Sequence, residues 1–171
     1  MKRIVVGIIL GILFGANLIA GDFELAIQAE KEKNLTKAID LYTKSCDAGN
    51  NKSCHNLALM YENGEGVNKD YSKAKEFYTK ACDKGNGNSC LNLGNMFSDG
   101  VGVKQDNIKA IDLYTKACDN SNAMACFNLA LSYYQGESVK QDTKKAKTLF
   151  KKSCDLGYQD GCDNYALLNQ K

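Results

Sequence analysis

Eight cysteines stand in four pairs, Cys46 and Cys54, Cys82 and Cys90, Cys118 and Cys126, Cys154 and Cys162, each pair with seven residues between its members. Thiols at fixed spacing can be bridges, metal ligands or nucleophiles, and the neighbouring residue types decide among these. Structural zinc uses close pairs such as C-x2-C together with histidines. The chain has one histidine, His55, and no such pair, so neither a metal nor any other cofactor is expected. Haem attachment needs a cysteine three residues before Cys54, where Asn51 stands; His55 is expected on a helix surface. Ser72 and Lys75 form an S-x-x-K string, the spacing that sets a serine nucleophile beside a lysine base. Its counterparts in the other copies are Thr36, Ile108 and Lys144, and neither S-D-N nor K-T-G occurs. The string therefore reads as an accident of a lysine-rich chain. An even set of regularly spaced cysteines remains a disulfide framework, provided that the chain is exported.

The N-terminus supplies that condition. Met1-Lys2-Arg3 is a basic start, Ile4 to Ala16 is apolar apart from small residues, and Ala20 suits the position before a cleavage, so 1–20 reads as a signal peptide. The apolar run is shorter than the ~20 residues of a spanning helix; Leu18, large where a small residue is preferred, keeps an uncleaved anchor as the alternative. No cysteine lies near the cut, which argues against a lipid anchor. The expected destination is the periplasm or the exterior. Loss of Lys2 and Arg3 takes the net charge from +2 to zero, and lysines alternate with acids along the chain, so neither nucleic acid nor stable membrane insertion is implied. A monomer is expected.

The elements that must carry the cysteines follow from the period. Corresponding cysteines recur every 36 residues, as from Cys46 to Cys82. Ala38, Leu41, Tyr42, Ser45 and Cys46 lie on one helical face, with Asn34, Asp70, Asp106 and Asp142 placed as N-caps. Gly49, Gly85 and Gly157 are expected as C-caps, Ser121 being the exception. A second helix follows at once, with Cys54, Leu57, Ala58 and Tyr61 on one face, and small residues at Ala58, Gly94, Ala130 and Ala166 allow close helix approach. Glycine loops such as Gly64 to Val67 then lead to the next copy; no strand precedes them, which removes a phosphate-loop reading. A period of this length marks an array of helix pairs. The fold class is all-α, a solenoid of four helix pairs. Residues 21–34 form an N-terminal cap whose apolar residues are Phe23, Leu25, Ala26 and Ile27, and the repeats span 35–69, 70–105, 106–141 and 142–171. The C-x7-C spacing brings the end of one helix within disulfide range of the start of the next, so each pair is expected to clip one hairpin, with no bridge between copies.

The recurring string Gly-x-Gly-Val-x-Gln/Lys-Asp-x-x-Lys-Ala-x-x-x-Tyr-x-Lys-Ala/Ser-Cys-Asp-x-Gly, followed by Cys-x-Asn-Leu-Ala/Gly-x-x-Tyr/Phe, resembles the Sel1-like repeat over residues 35–169. With its paired cysteines it resembles the Helicobacter cysteine-rich protein family. The resemblance implies a right-handed superhelix, secretion or a periplasmic location, and penicillin binding or weak β-lactamase activity. No catalytic residue can be carried over with it.

The competing reading is a binding scaffold. Sel1-like repeats resemble tetratricopeptide repeats, and Leu57, Ala58 and Tyr61 match that family's inner helix while Ala74, Tyr78 and Ala81 match its outer one. The match implies a concave wall carrying Asn56, Asn92, Asn128 and Asn164, one amide per copy. Such a ladder can grip the backbone of a peptide or the polar groups of a cell-wall glycan, or it can fix the packing of the copies. Phe127 and Tyr134 of the most apolar copy are candidates for an aromatic anchor, with contact to adjacent helices as the alternative. Glu32 to Thr36 matches an acidic extended glycosylation sequon centred on Asn34. The sequence thus favours an exported scaffold for peptide, protein or peptidoglycan-type ligands, with β-lactam hydrolysis as the family-implied alternative.

Overall fold

The computed structural model describes residues 21–170. Among them every regular element is a helix: α1 (21–31), α2 (Leu35–Asp47), α3 (Asn51–Asn63), α4 (Tyr71–Asp83), α5 (Gly87–Asp99), α6 (Asn107–Asp119), α7 (Ala123–Gln135), α8 (Thr143–Asp155) and α9 (Gln159–Asn169). The signal segment expected at 1–20 lies outside the described residues.

Short side chains fix where these helices begin. The carbonyl or carboxylate oxygens of Asn34, Asp70, Asp106 and Asp142 accept from the backbone N–H groups of Lys37, Lys73, Lys109 and Lys145, satisfying donors that a helix start leaves free. Asn50, Asn86 and Asn122 do the same for α3, α5 and α7, accepting from Ser53, Ser89 and Ala125. At α9 that place is held by Tyr158, which offers no side-chain cap. The glycines expected at the C-caps sit one residue further on, after Ala48, Lys84 and Leu156, in left-handed backbone with φ of 104° at Gly49, 82° at Gly85 and 92° at Gly157. Ser121 takes the same conformation (φ 61°), so the turn geometry holds even where the glycine is missing, at a local cost of roughly 1 kcal/mol.

Across each of these short turns a disulfide closes, Cys46–Cys54, Cys82–Cys90, Cys118–Cys126 and Cys154–Cys162, with Cα atoms 4.8, 4.7, 4.6 and 4.5 Å apart. The helices joined through the longer glycine loops pack on each other more extensively than the bridged ones do. Those loops are tied down as well. The N–H groups of Asp70, Asp106 and Asp142 donate to the carbonyls of Tyr61, Phe97 and Tyr133 at 2.8 to 2.9 Å. Lys73, Lys109 and Lys145 lie over the same three rings at 4.8, 4.2 and 4.0 Å from their centroids.

The core repeats with the chain. Tyr42, Tyr78, Tyr114 and Phe150 are buried at equivalent places, and Tyr114 lies against a glycine of the preceding helix. Gly94 shows how tight this is: a Cβ there would stand 2.6 Å from Cε1 of Tyr114. At the N-terminal end α1 covers the stack with Ala26 and Ala29, which are buried, and with Phe23, whose ring lies 6.1 Å from that of Tyr42. Leu25, expected in this cap, is instead 53 % exposed, because the buried face of α1 runs through Phe23, Ala26, Ile27 and Ala29.

Candidate functional site

One face of the stack is formed by α3, α5, α7 and α9, with α4, α6 and α8 as the floor between them. Three clefts follow one another along it. The first, about 130 Å³, lies between α3 and α5 and includes Glu62, Asn92, Asn95 and Asp99. The second, about 330 Å³, lies between α5 and α7 over Tyr114 and includes Asn95, Asp99, Asn128 and Glu137. The third, about 350 Å³, lies between α7 and α9 over Phe150 and includes Tyr134, Asn164 and Leu168. The first two share Asn95 and Asp99 of α5 and form one groove, and the third lies beyond α7 on the same face.

Three of the four ladder amides line this groove: Asn92, Asn128 and Asn164. They also bond within the fold. Asn92 Nδ2 donates to the Tyr78 hydroxyl at 3.1 Å, and that hydroxyl donates to Oε2 of Glu62. Asn56 and Asn128 stand near Tyr42 and Tyr114, while Tyr42 donates to Glu30 at 2.7 Å and Tyr114 to Oδ1 of Asn95 at 2.9 Å. Burial, reinforced by the carboxylates at Tyr42 and Tyr78, pushes all three phenols above the ordinary tyrosine range. The fourth copy breaks the pattern. Phe150 has no hydroxyl, and Asn164 Nδ2 turns back to the carbonyl of Asp160 at 2.8 Å. Tyr134 precedes Phe150 by the same interval at which Glu62 precedes Tyr78.

The two aromatic candidates are not brought together. Phe127 packs within the stack, its ring 5.5 Å from that of Phe150 and 5.2 Å from that of Tyr158. Tyr134 is 37 % exposed and lines the third cleft beside Asn164. His55, expected on the surface, is half-buried between copies: Nδ1 is 2.8 Å from Oγ of the buried Ser89 and its ring lies 5.8 Å from that of Tyr78. Burial lowers its pKa, and the Glu62 charge opposes that shift in part. Ser72 and Lys75 are both exposed on the first turns of α4, where Asp70 is engaged in capping. Asn34 uses its carbonyl oxygen to cap α2. Among the described residues no three His, Cys, Asp or Glu side chains gather as a metal site, and no helix is long and apolar enough to cross a membrane. Four bridges of this kind mark an oxidising, exported environment.

The Sel1 repeat pattern matches residues 29–50, 51–86, 87–122 and 123–158. The chain belongs to the Sel1 repeat family. Among solved structures it is similar to c5321, "a protective antigen present in uropathogenic Escherichia coli strains displaying an SLR fold", at 28 % identity and TM-score 0.81, covering 90 % of this chain and 34 % of that one. It is similar to a Sel1 repeat protein from Oxalobacter formigenes at 25 % identity and TM-score 0.76, covering 86 % and 62 %. Cysteine rich protein B of Helicobacter pylori matches at 34 % identity and TM-score 0.62, covering 76 % and 93 %. The chain thus spans about a third of the first of these proteins and under two thirds of the second. By sequence comparison no curated protein matches it significantly.

Each full Sel1 unit pairs an inner helix with the outer helix beyond the glycine loop, as α3 with α4 in 51–86. The units anticipated from the cysteine spacing were phased half a repeat differently. In the Sel1 phase the bridges do cross between copies, because Cys82 ends one unit and Cys90 begins the next. The Sel1 phase also groups helices by their more extensive packing.

Charge separates by helix in a way that linear order hides. Twelve lysines lie on the outer helices α2, α4, α6 and α8, and a single one, Lys52, on α3, α5, α7 and α9. Asn107, Gln135, Glu137 and Ser138, absent from the sequence-based candidates, also line the second cleft. They lie at helix ends and in a loop, outside the period-36 core pattern.

Proposed function

We propose that the protein is a binding scaffold that takes an extended segment of another protein along the groove of α3, α5, α7 and α9. Sel1-repeat solenoids are typically protein-binding scaffolds. The observation that carries the reading here is the run of three clefts, the first two sharing Asn95 and Asp99, that are lined in turn by Asn92, Asn128 and Asn164. An amide both donates and accepts, as a peptide backbone does, so spaced amides suit an extended main chain with little demand on its sequence. Tyr78 fixes one Asn92 N–H, which leaves the second N–H and the carbonyl oxygen for a ligand. The β-lactamase reading gains no support from the site, since Ser72 is exposed on an outer helix.

A photoreactive residue placed at Gln135, in the groove, or at Lys144, exposed on α8, tests the proposal in cells producing the protein. Gln135 should give a discrete protein adduct and Lys144 none. Adducts from Lys144 alone would refute it.

A further inference from the structure

The groove has a chemical gradient along its length, and this bears on what it selects. Its first two clefts carry three carboxylates, Glu62, Asp99 and Glu137, and neither is lined by a lysine or the histidine. Every ion pair among the described residues lies elsewhere, on α4, α6 and α8: Lys80–Glu76, Lys116–Asp83, Lys151–Asp155 and Lys152–Asp119. The acids that have a lysine are therefore on the outer face, and the acids in the groove have none. Asp99 and Glu137 are exposed, so an incoming cation would meet them without a large desolvation cost. The third cleft is different. Among the described residues its lining contains no charged side chain, and it offers Tyr134, Phe150 and Leu168 beside Leu167, which is 60 % exposed.

Resting on the groove reading above, we infer that the preferred ligand is an extended peptide segment carrying a basic side chain over α5 and an apolar side chain in the cleft between α7 and α9. The two groups are complementary to neighbouring clefts on either side of α7. Lysine repulsion is small there, because no lysine among the described residues lines either of the first two clefts. An acidic segment would instead meet three unpaired carboxylates, which gives discrimination as well as attraction.

Fluorescence anisotropy with the oxidised, full chain and four labelled peptides of equal length tests this. One peptide carries Lys and Leu, one Lys with Ser in place of Leu, one Leu with Ser in place of Lys, and one Leu with Glu in place of Lys. The Lys and Leu peptide should bind tightest and weaken as salt is raised. Each pair is worth about a two- to threefold factor, so combining Glu62→Gln, Asp99→Asn and Glu137→Gln should weaken that peptide roughly tenfold and weaken the Ser and Leu peptide far less. Tyr134→Ala should weaken both peptides that contain Leu without Glu. Circular dichroism controls for folding. Equal affinity for the Lys and Glu peptides, insensitivity of the Lys and Leu peptide to the triple variant, or no binding by any of the four overturns the inference. Adducts at Gln135 with such an outcome would leave the groove reading standing, whereas adducts at Lys144 alone would remove both.

Discussion

Replacing Tyr78 by Phe tests the link between the groove and the core in one atom. The lost hydroxyl donates to Glu62 and accepts from Asn92, while the ring, fully buried, keeps its packing. A hydrogen bond to a charged group contributes about 1.5 to 3 kcal/mol and a neutral one about 0.5 to 1.5. Glu62 and Asn92 are half-buried and face the groove, so water can reach both once the hydroxyl is gone, which places the expected loss at about 1.5 to 2.5 kcal/mol. For a domain of this size that corresponds to a fall in Tm of roughly 3 to 10 °C, measurable by thermal unfolding followed by circular dichroism under oxidising conditions. Phe150→Tyr is the informative companion. Tyr134 stands before Phe150 where Glu62 stands before Tyr78, so the restored hydroxyl finds no carboxylate and should return less than about 0.5 kcal/mol. A double-mutant cycle with Glu62→Ala should give a coupling of about 1 kcal/mol or more. Zero coupling, or a Tyr78→Phe protein within about 0.5 kcal/mol of the parent, would refute the argument that this hydroxyl anchors the groove wall.

The single histidine gives a pH prediction. Burial between Tyr78 and Ser89 lowers its pKa, so the folded state binds fewer protons than the unfolded one. The associated stability is present above the ordinary histidine pKa near 6.5 and is lost as pH falls through the lower folded value. An NMR titration of the imidazole should show a midpoint below 6.5; a midpoint at or above it would contradict the burial argument. Each disulfide closes a loop between residues eight apart, worth about 2.5 kcal/mol by loop-closure entropy. Replacing Cys82 and Cys90 together by Ser should lower stability by about that amount in denaturant titrations. An unchanged midpoint would show that the turn is held by its caps alone.

Much of the fold could be read from the chain because one unit is written four times. The capping acids at 70, 106 and 142, the small residues at 58, 94 and 130 and the cysteine pairs each recur, and every recurrence has a local cause: a free N–H to satisfy, a ring to admit, a short turn to close. Phasing was less legible. Cysteine spacing drew the repeat boundary through the glycine loops, yet the aromatic and lysine pairs, Tyr61 with Lys73 and Phe97 with Lys109, bind helices across those loops, and these contacts join residues of two different periods. The asparagine ladder was visible as a recurrence, but not its partners. Tyr42, Tyr78 and Tyr114 recur at the same period in three of the four places, and only the structure brings the Tyr78 hydroxyl and the Asn92 amide together. Phe127 and Tyr134 show the limit of helical spacing: one helix carries both, and the neighbours decide that one is enclosed by Phe150 and Tyr158 while the other faces a cleft.

Bridges that cross from one Sel1 unit to the next also determine how the array would carry a pulling load. Tension applied along the chain passes through sulfur at each short turn, bypassing the residues from Cys82 to Cys90 and their counterparts. What can extend is the stretch between bridges, such as Cys54 to Cys82, which contains α3, its glycine loop and α4. A peptide bond cut inside a bridged turn would leave the molecule covalently whole, and a cut in a glycine loop would divide it in two.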